Sequence, residues 1–372
     1  MGWAEKLPSG RYRAVYRDGG GKRRSAGIYT HKATAVREAG AKEVTARKKM
    51  WSDPDAYKTP WDKWADEWWP TRTVEASTLA RDSSRRKTHL DPRWTGVAIG
   101  AITRQDVKAW AASMRAAGTG PAVVQRCVHL LSASLAAALD AEIIEYNPAA
   151  RIKLAKGQQA GERYLTDDEF EAIRRQMPTE LDQLVVDTLV ETGVRWGELA
   201  GLHRSRLDLK RKIARIVETY SETDGTIKGY TKSRRIRDVP LSNRLAAALK
   251  KHLEAMPAPL SCGVEHKSGK CRSGLVFTTP TGHPLRNSNW SPAWRTAVEH
   301  SGVGQVRPYD LRHTYASRLL QDGVSLAEVG KLLGHVSPQT TAIYAHLEKD
   351  PSTVARASLN RRKPKGRERG SA

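Results

Sequence analysis

The chain has 372 residues, beyond a single domain of roughly 100 to 200, so two or three folding units are expected. Lys and Arg total 63 against 40 Asp and Glu, a formal net charge of +23 that implies a polyanionic partner, with nucleic acid the expected one. No stretch is read as approaching the roughly 18 consecutive apolar residues of a spanning helix, and the start MGWAEKLPSG lacks the apolar run of a signal peptide. A soluble, cytoplasmic protein without a membrane partner is therefore expected. Three cysteines in a chain of this length argue against a disulfide framework.

The first segment, SGRYRAVYRDGGGKRRSAGIYTHKATAVREAGAKEV, reads as strand, glycine turn, strand and helix. Period-two geometry puts Arg11, Arg13, Val15 and Arg17 on one face and Tyr12, Ala14 and Tyr16 on the other. With Lys22, Arg23 and Arg24 in and after the turn, the cationic face is suited to phosphates or to a major groove, which accepts a β-ribbon. A solvated edge strand guarded by charge would look the same.

After the polar stretch SDPDAYKTP comes WDKWADEWW, where Trp61, Trp64 and Trp68 recur at helical spacing and read as core rather than as stacking platforms. Arg81, Arg85, Arg86 and Lys87 follow within about two helical turns. QDVKAWAASMRAAG and VVQRCVHLLSASLAAALDAEII, the latter carrying Arg126, supply further amphipathic helices of a unit with one cationic flank. The proline-bounded EYNPAARIKLAKGQQAGERY reads as a linker.

The largest unit opens at LTDDEFEAIRRQM, where Thr166 and Glu169 form a capping-box pattern that Ser325 and Glu328 repeat near its end. Helices and short strands alternate between them. Cys262, His266 and Cys271 lie close together in LSCGVEHKSGKCRSG, but a fourth ligand is missing and the spacing matches no common zinc pattern, so a surface loop without metal is expected. The closing RRKPKGRERGSA is a charged tail expected to be disordered, with contact to DNA or a neighbouring protomer as the sharper alternative.

Chemistry concentrates in this last unit. Arg195 stands in ETGVRWGELAGL, where Gly193 closes one helix and the arginine opens the next. Arg312 stands in RPYDLRHTYASRLLQ on a helix whose Leu311, Tyr315 and Leu319 form the buried stripe, with Tyr309 and His313 on adjoining turns. His335 follows a helix ending at Gly334, and Tyr344 is placed on the helix capped by Ser337.

In that order ETGVRWGEL, TKSRRIRDVPL, YDLRHTYAS, LLGH and Tyr344 resemble the motifs of the tyrosine recombinases, the phage integrase family. The resemblance implies a multidomain, mainly α chain with small β-sheets: an arm-type DNA-binding domain over 1–52 with a three-stranded sheet and a helix, a helical core-binding domain over 60–155, a mixed α+β catalytic domain over 162–350 and a basic tail over 351–372. Arg195 and Arg312 would clamp the scissile phosphate and His335 would hydrogen-bond it. Lys232 would protonate the leaving 5′ oxygen, although Lys228 lies nearby. Glu198 would support Arg195, and Tyr344 would be the nucleophile. Tyr309 occupies the place where the family usually has histidine, leaving open which group takes the proton of Tyr344.

The chemistry suits these residue types. Attack on a phosphodiester builds charge on the nonbridging oxygens, and a planar, always protonated guanidinium donates two parallel bonds to it. A phenol with pKa near 10 is ionised in only about one molecule per thousand at pH 7, so it needs a base or a positive field. The resemblance further implies metal-, cofactor- and ATP-independent integration, with possible excision, of a mobile element or phage genome. Its partners would be double-stranded attachment sites, a homo-tetramer on synapsed DNA, a directionality factor and a host DNA-bending protein. A type IB topoisomerase and an inactive DNA-binding accessory protein of the same fold are the alternatives.

Overall fold

The computed structural model describes residues 2–18, 21–47, 55–154 and 163–347, which group into two units, Met1–Gln159 and Ala160–Ala372. Of the stretch 145–164 read as a linker, Ala149, Ile152 and Leu154 instead pack against the helical core of the first unit, and residues 155–162, like the 351–372 tail, lie outside the described residues.

The first unit opens with an antiparallel sheet of β1 (Trp3–Lys6), β2 (Tyr12–Arg17) and β3 (Arg23–Tyr29) in that order, covered by α1 (Lys32–Arg47). Ala14, Ala35 and Ala39 are fully buried between sheet and helix, small enough for the two to approach closely. β1 was not announced by its residues, only by the resemblance. The expected alternation along β2 does not hold. Pairing shifts between Ala14, opposite Gly27, and Val15, opposite Ser25, so Ala14, Val15 and Tyr16 are all buried in succession. The extra residue, Ala26, belongs to β3 and bends that strand. Arg11, Arg13, Arg17 and Lys22 remain exposed. Arg23 pairs with Glu5, and Arg24 is held by Asp18 at 3.0 Å and Asp55 at 3.3 Å.

The rest of this unit is helical: α2 (Trp61–Trp68), α3 (Ala76–Arg85), α4 (Asp91–Trp94), α5 (Arg104–Ala116) and α6 (Pro121–Asp140). Trp61, Trp64, Trp68, Trp94 and Trp110 are buried together, and the Trp64 indole N–H donates to the Ser134 carbonyl at 3.0 Å. By length and composition α6 could cross a membrane, contrary to the sequence expectation. The helix tolerates Arg126 and His129 because they are exposed, whereas Val124, Cys127, Val128, Leu131 and Leu135 pack into the tryptophan core.

The second unit places α7 (Asp167–Arg175), α8 (Glu180–Thr192) and α9 (Trp196–Ala200) before the strands. β4 (Leu207–Asp208), β5 (Ile213–Ile216) and β8 (Arg237–Pro240) form one antiparallel sheet, and β6 (Thr219–Ser221) pairs with β7 (Thr226–Lys228) in a second. α10 (Asn243–Glu254), α11 (Asn287–Ser301), α12 (Asp310–Gln321), α13 (Leu326–Leu333) and α14 (Pro338–Ala342) complete it. α8 buries Leu184, Val185, Val186, Leu189 and Val190 together with the polar Asp187, Thr188 and Thr192, so it is enclosed over most of its length, with α12 packed beside it. Both expected capping boxes form, at Thr166 with Glu169 and at Ser325 with Glu328.

Candidate active site

Gly193 ends α8 in the left-handed conformation, φ 59°. A Cβ there would stand 2.4 Å from Tyr315 Cδ1 and 2.9 Å from Leu333 Cδ2, so both backbone and packing require glycine. The tight turn aims the Gly193 carbonyl at Arg312 and sets Arg195 at the start of α9.

Arg312 is 2 % exposed, and its guanidinium donates to the carbonyls of Gly193 and Leu333. These are neutral acceptors. Among the described residues no carboxylate pairs with Arg312, and its Nε has no partner. Burial, and after it the neighbouring Arg195, lowers its pKa to about 10, still protonated at neutral pH. Arg195 faces the same cleft, about 260 Å³, whose walls include Trp196, Asn287, Arg307, Tyr309 and Arg312.

Glu198 holds Arg195 twice, accepting from its backbone N–H at 2.9 Å and from Nη1 at 2.9 Å. A second arginine completes the arrangement. Arg237 Nη2 lies 2.6 Å from Glu198 Oε2, and its Nε donates to the Leu332 carbonyl at 2.7 Å. Burial alone would raise the Glu198 pKa, but the hydrogen bond and charge of Arg237, with those of Arg195, hold it below the ordinary carboxylate value. Arg237 was missed in the sequence, although alternation along β8 buries it beside Val239. That inward position within TKSRRIRDVPL was the available signal.

Gly334 closes α13 at φ 67°, and His335 follows it, 8 % exposed. Its Nδ1 is 2.8 Å from the Thr341 hydroxyl. When Thr341 donates, Nε2 carries the proton and can donate to a phosphate oxygen. Burial first, then Arg312, Arg195 and Arg237, lower the His335 pKa to about 4, so the imidazole is neutral at pH 7.

Tyr344 does not lie on the helix capped by Ser337, which ends at Ala342. It occupies the following turn, its N–H donating to the Thr341 carbonyl at 2.9 Å. The side chain is 3 % exposed among Tyr315, Ala316, Leu320, Val329 and Leu333, and its hydroxyl is 2.7 Å from His313 Nδ1. That burial draws the chain out of helical continuation. Burial also lowers the His313 pKa, while Asp310 opposes the shift. Tyr309 is half exposed and meets the His313 ring edge-on at 5.1 Å.

Thus Arg195, Glu198, Tyr309, Arg312, His335 and Tyr344 gather with His313 and Arg237 around the ends of α8, α12 and α13. Lys232 is hydrogen-bonded to none of them, although Arg235 of the same loop donates to the His335 carbonyl at 3.4 Å. The lysine is exposed on a turn joining β7 to β8, strands of two different sheets, and makes no hydrogen bond or ion pair among the described residues. Lys228 is buried in β7. In the first unit Arg81, Lys87 and Arg126 are exposed. Arg85 and Arg86 are instead drawn into ion pairs, Arg85 with Asp82 at 2.6 Å and Arg86 with Asp66 at 2.6 Å and Asp91 at 3.0 Å.

A buried arginine with no carboxylate partner among the described residues, a second arginine on the same cleft, a neutral imidazole and a phenol bonded to another imidazole are groups suited to phosphoryl chemistry. Residues 163–350 match the model of the phage integrase family. The chain is 28% identical over 262 residues to tyrosine recombinase XerC of Roseiflexus castenholzii, covering 69% of this chain and 78% of that protein. Over 254 residues it is 26% identical to XerD of Listeria monocytogenes, covering 67% of this chain and 79% of that protein. Among solved structures, the Tn1549 transposon integrase in complex with a circular intermediate DNA matches at TM-score 0.67 and 17% identity, covering 82% of this chain and 100% of that one. A lambda integrase dimer bound to a core site matches at TM-score 0.61 and 19% identity, covering 98% of this chain and 97% of that one.

The chain belongs to the phage integrase family, the tyrosine recombinases. Its activity is site-specific recombination of DNA.

Proposed function

We propose that this recombinase cuts and rejoins DNA at two specific sites through a 3′-phosphotyrosyl intermediate, integrating a mobile element or phage genome. The observation that carries this reading is Arg312, a buried cation whose guanidinium bonds only to carbonyls and which lines one cleft with Arg195. A scissile phosphate supplies the anion that the cleft lacks, and two guanidiniums then stabilise the charge that grows on its nonbridging oxygens. His335 donates from Nε2 to the same phosphate.

Cleavage requires Tyr344 to turn from its buried position toward this cleft. Its oxygen forms the new bond to phosphorus, the bond from phosphorus to O5′ breaks, the phenolic proton passes to His313 and Lys232 protonates O5′. The hydrogen bond of 2.7 Å between Tyr344 and His313 supports that acceptor, because Tyr309 as a phenol is a poor one at neutral pH. The phosphotyrosyl ester retains the energy of the diester, so a 5′ hydroxyl from another strand reseals it without ATP.

The sheet of the first unit is assigned to accessory arm sites through Arg11, Arg13, Arg17 and Lys22, and its helical part to core DNA through Arg81, Lys87 and Arg126. Arg23, Arg24, Arg85 and Arg86 contribute only where DNA competes with their ion pairs. A tetramer on synapsed DNA, a directionality factor and a host DNA-bending protein complete the reaction, which takes place on DNA in the cytoplasm.

A nicked substrate that traps the intermediate tests this. A covalent, protease-sensitive adduct should form in EDTA and vanish with Tyr344→Phe. An adduct persisting in that variant would reject Tyr344 as nucleophile, and relaxation of plasmids lacking a target site would point to a topoisomerase. Deleting residues 1–52 should spare cleavage of core DNA and abolish bridging to accessory sites.

A further inference from the structure

The loop read as lacking a fourth metal ligand acquires one from a residue sixty positions away in sequence. His203, in the segment after α9, meets Cys262, His266 and Cys271, and the four ligand atoms all lie within 4.8 Å of one another. We propose that these four side chains bind a single zinc ion that fastens the loop to the rear of the catalytic unit.

Distances between the donors fit that ion. Cys262 Sγ is 3.2 Å from His266 Nε2 and 3.4 Å from Cys271 Sγ. A tetrahedron with Zn–S of about 2.3 Å and Zn–N of about 2.0–2.1 Å has edges of roughly 3.3–3.8 Å, so these two short separations open by a few tenths of an ångström and the longest, up to 4.8 Å, contract around the ion. Two thiolates and two imidazoles form one of the common closed structural sets, and soft sulfur ligands disfavour magnesium and calcium.

His203 supplies an independent observation. Its ring is buried, and Nδ1 lies 3.0 Å from the Gly201 carbonyl, which fixes the proton there and leaves Nε2 as the lone-pair nitrogen. That Nε2 has no hydrogen-bond partner among the described residues. A buried acceptor without a partner is destabilising, and a metal ion relieves it. Donation of the far ring N–H to a backbone carbonyl, carboxylate or water is also what orients most metal-bound histidines. On the other side the Cys262 N–H donates to Cys271 Sγ at 3.2 Å, which favours the thiolate that a metal needs.

The backbone shows what the ion would fasten. Ile227 of β7 donates to the Glu265 carbonyl at 2.8 Å and accepts from the Lys267 N–H at 2.9 Å, so the loop lies along that strand as an extra rung. His203 bridges to Leu275 where the loop returns. Around these contacts Ala200, Tyr220, Ile227, Cys262 and Leu275 form a small buried apolar cluster, with Trp196, Val264 and Cys271 packed against it. The site therefore ties α9, which begins beside Arg195, to β7, four residues before Lys232.

Full-length protein, untagged and purified under reducing conditions, should hold one zinc per chain by elemental analysis after dialysis against metal-free buffer. Replacement of that zinc with Co²⁺ should give the visible bands of a tetrahedral site together with thiolate-to-cobalt charge transfer. His203→Ala and Cys262→Ser should each abolish the stoichiometric metal, while Cys127→Ala, in the other unit, should keep it. If the site variants fail to fold, the cobalt spectrum of the unaltered protein decides. Zinc well below stoichiometry after reloading, a cobalt spectrum without thiolate bands, retention of metal by folded His203→Ala, or a mass showing Cys262 and Cys271 joined as a disulfide would each overturn the proposal.

Discussion

The hydroxyl of Tyr344 rests 2.7 Å from Nδ1 of His313, and His313 is the residue that follows Arg312 on α12. Consecutive on the helix, the two side chains project about 100° apart, one toward the cleft of Arg195 and the other toward the phenol. In the Nε2–H tautomer of His313 the phenol donates to Nδ1, which is the direction of proton transfer proposed above.

If His313 takes that proton, His313→Gln should slow single-turnover cleavage by about 10²-fold or more. Raising the pH toward about 10, the range in which a free phenol ionises, should restore part of the lost rate, since hydroxide then replaces the base. An equal deficit at every pH would show that His313 only packs. Tyr309→Phe, losing one exposed hydroxyl, should cost no more than about 1 kcal/mol, or roughly fivefold.

Arg195→Gln and Arg312→Gln should each lose about 3 to 4 kcal/mol of transition-state stabilisation while retaining salt-sensitive DNA binding. Arg312→Lys should not rescue, because a single ammonium cannot reach both the Gly193 and Leu333 carbonyls and still present a fork to phosphate. Cleavage rates with a trapping substrate, set beside gel-shift affinities, check this. Lys232→Ala should be slow on ordinary DNA and recover when sulfur replaces the bridging 5′ oxygen, a leaving group that needs no acid.

Arg237→Met should destabilise the protein by about 3–5 kcal/mol, because it removes the bidentate partner of a carboxylate that is only 1 % exposed. Adding Glu198→Gln should recover part of that loss. Denaturant unfolding of both single variants and the double variant gives the coupling directly.

His335 makes stability depend on pH in a defined direction. Its folded pKa of about 4 lies below the ordinary 6.5, so between these values the unfolded chain binds the extra proton. The contribution is complete above pH 6.5, is lost as pH falls toward 4 and changes no further below that. Its full size is on the order of 3 kcal/mol. Thermal unfolding from pH 7 to 4 should therefore fall less steeply for His335→Asn than for the unaltered chain.

Gly193→Ala should cost about 2–3 kcal/mol, from the left-handed backbone and from the clash with Tyr315. Because the Gly193 carbonyl anchors Arg312, cleavage should fall further than the loss of folded protein explains. Comparing activity per folded molecule separates the two effects.

Local rules were enough where the cause lies within a few residues. The capping boxes at Thr166 and Ser325, the glycine stops at 193 and 334 and the buried tryptophan stripe of α2 all depend on backbone geometry and helical spacing, and the sequence carries both. Arg195, Glu198, Arg312, His335 and Tyr344 were legible through their ordered motifs. Tertiary structure alone decided the rest. The register shift in the first sheet depends on how two strands pair, and Arg86 meets Asp66 from 20 residues away. Arg237 clasps Glu198 from a strand 39 residues away, and His203 meets the cysteine loop across the β6–β7 hairpin. A residue's charge and spacing are written in the chain, but which buried group it must neutralise is fixed only when distant segments exclude water together.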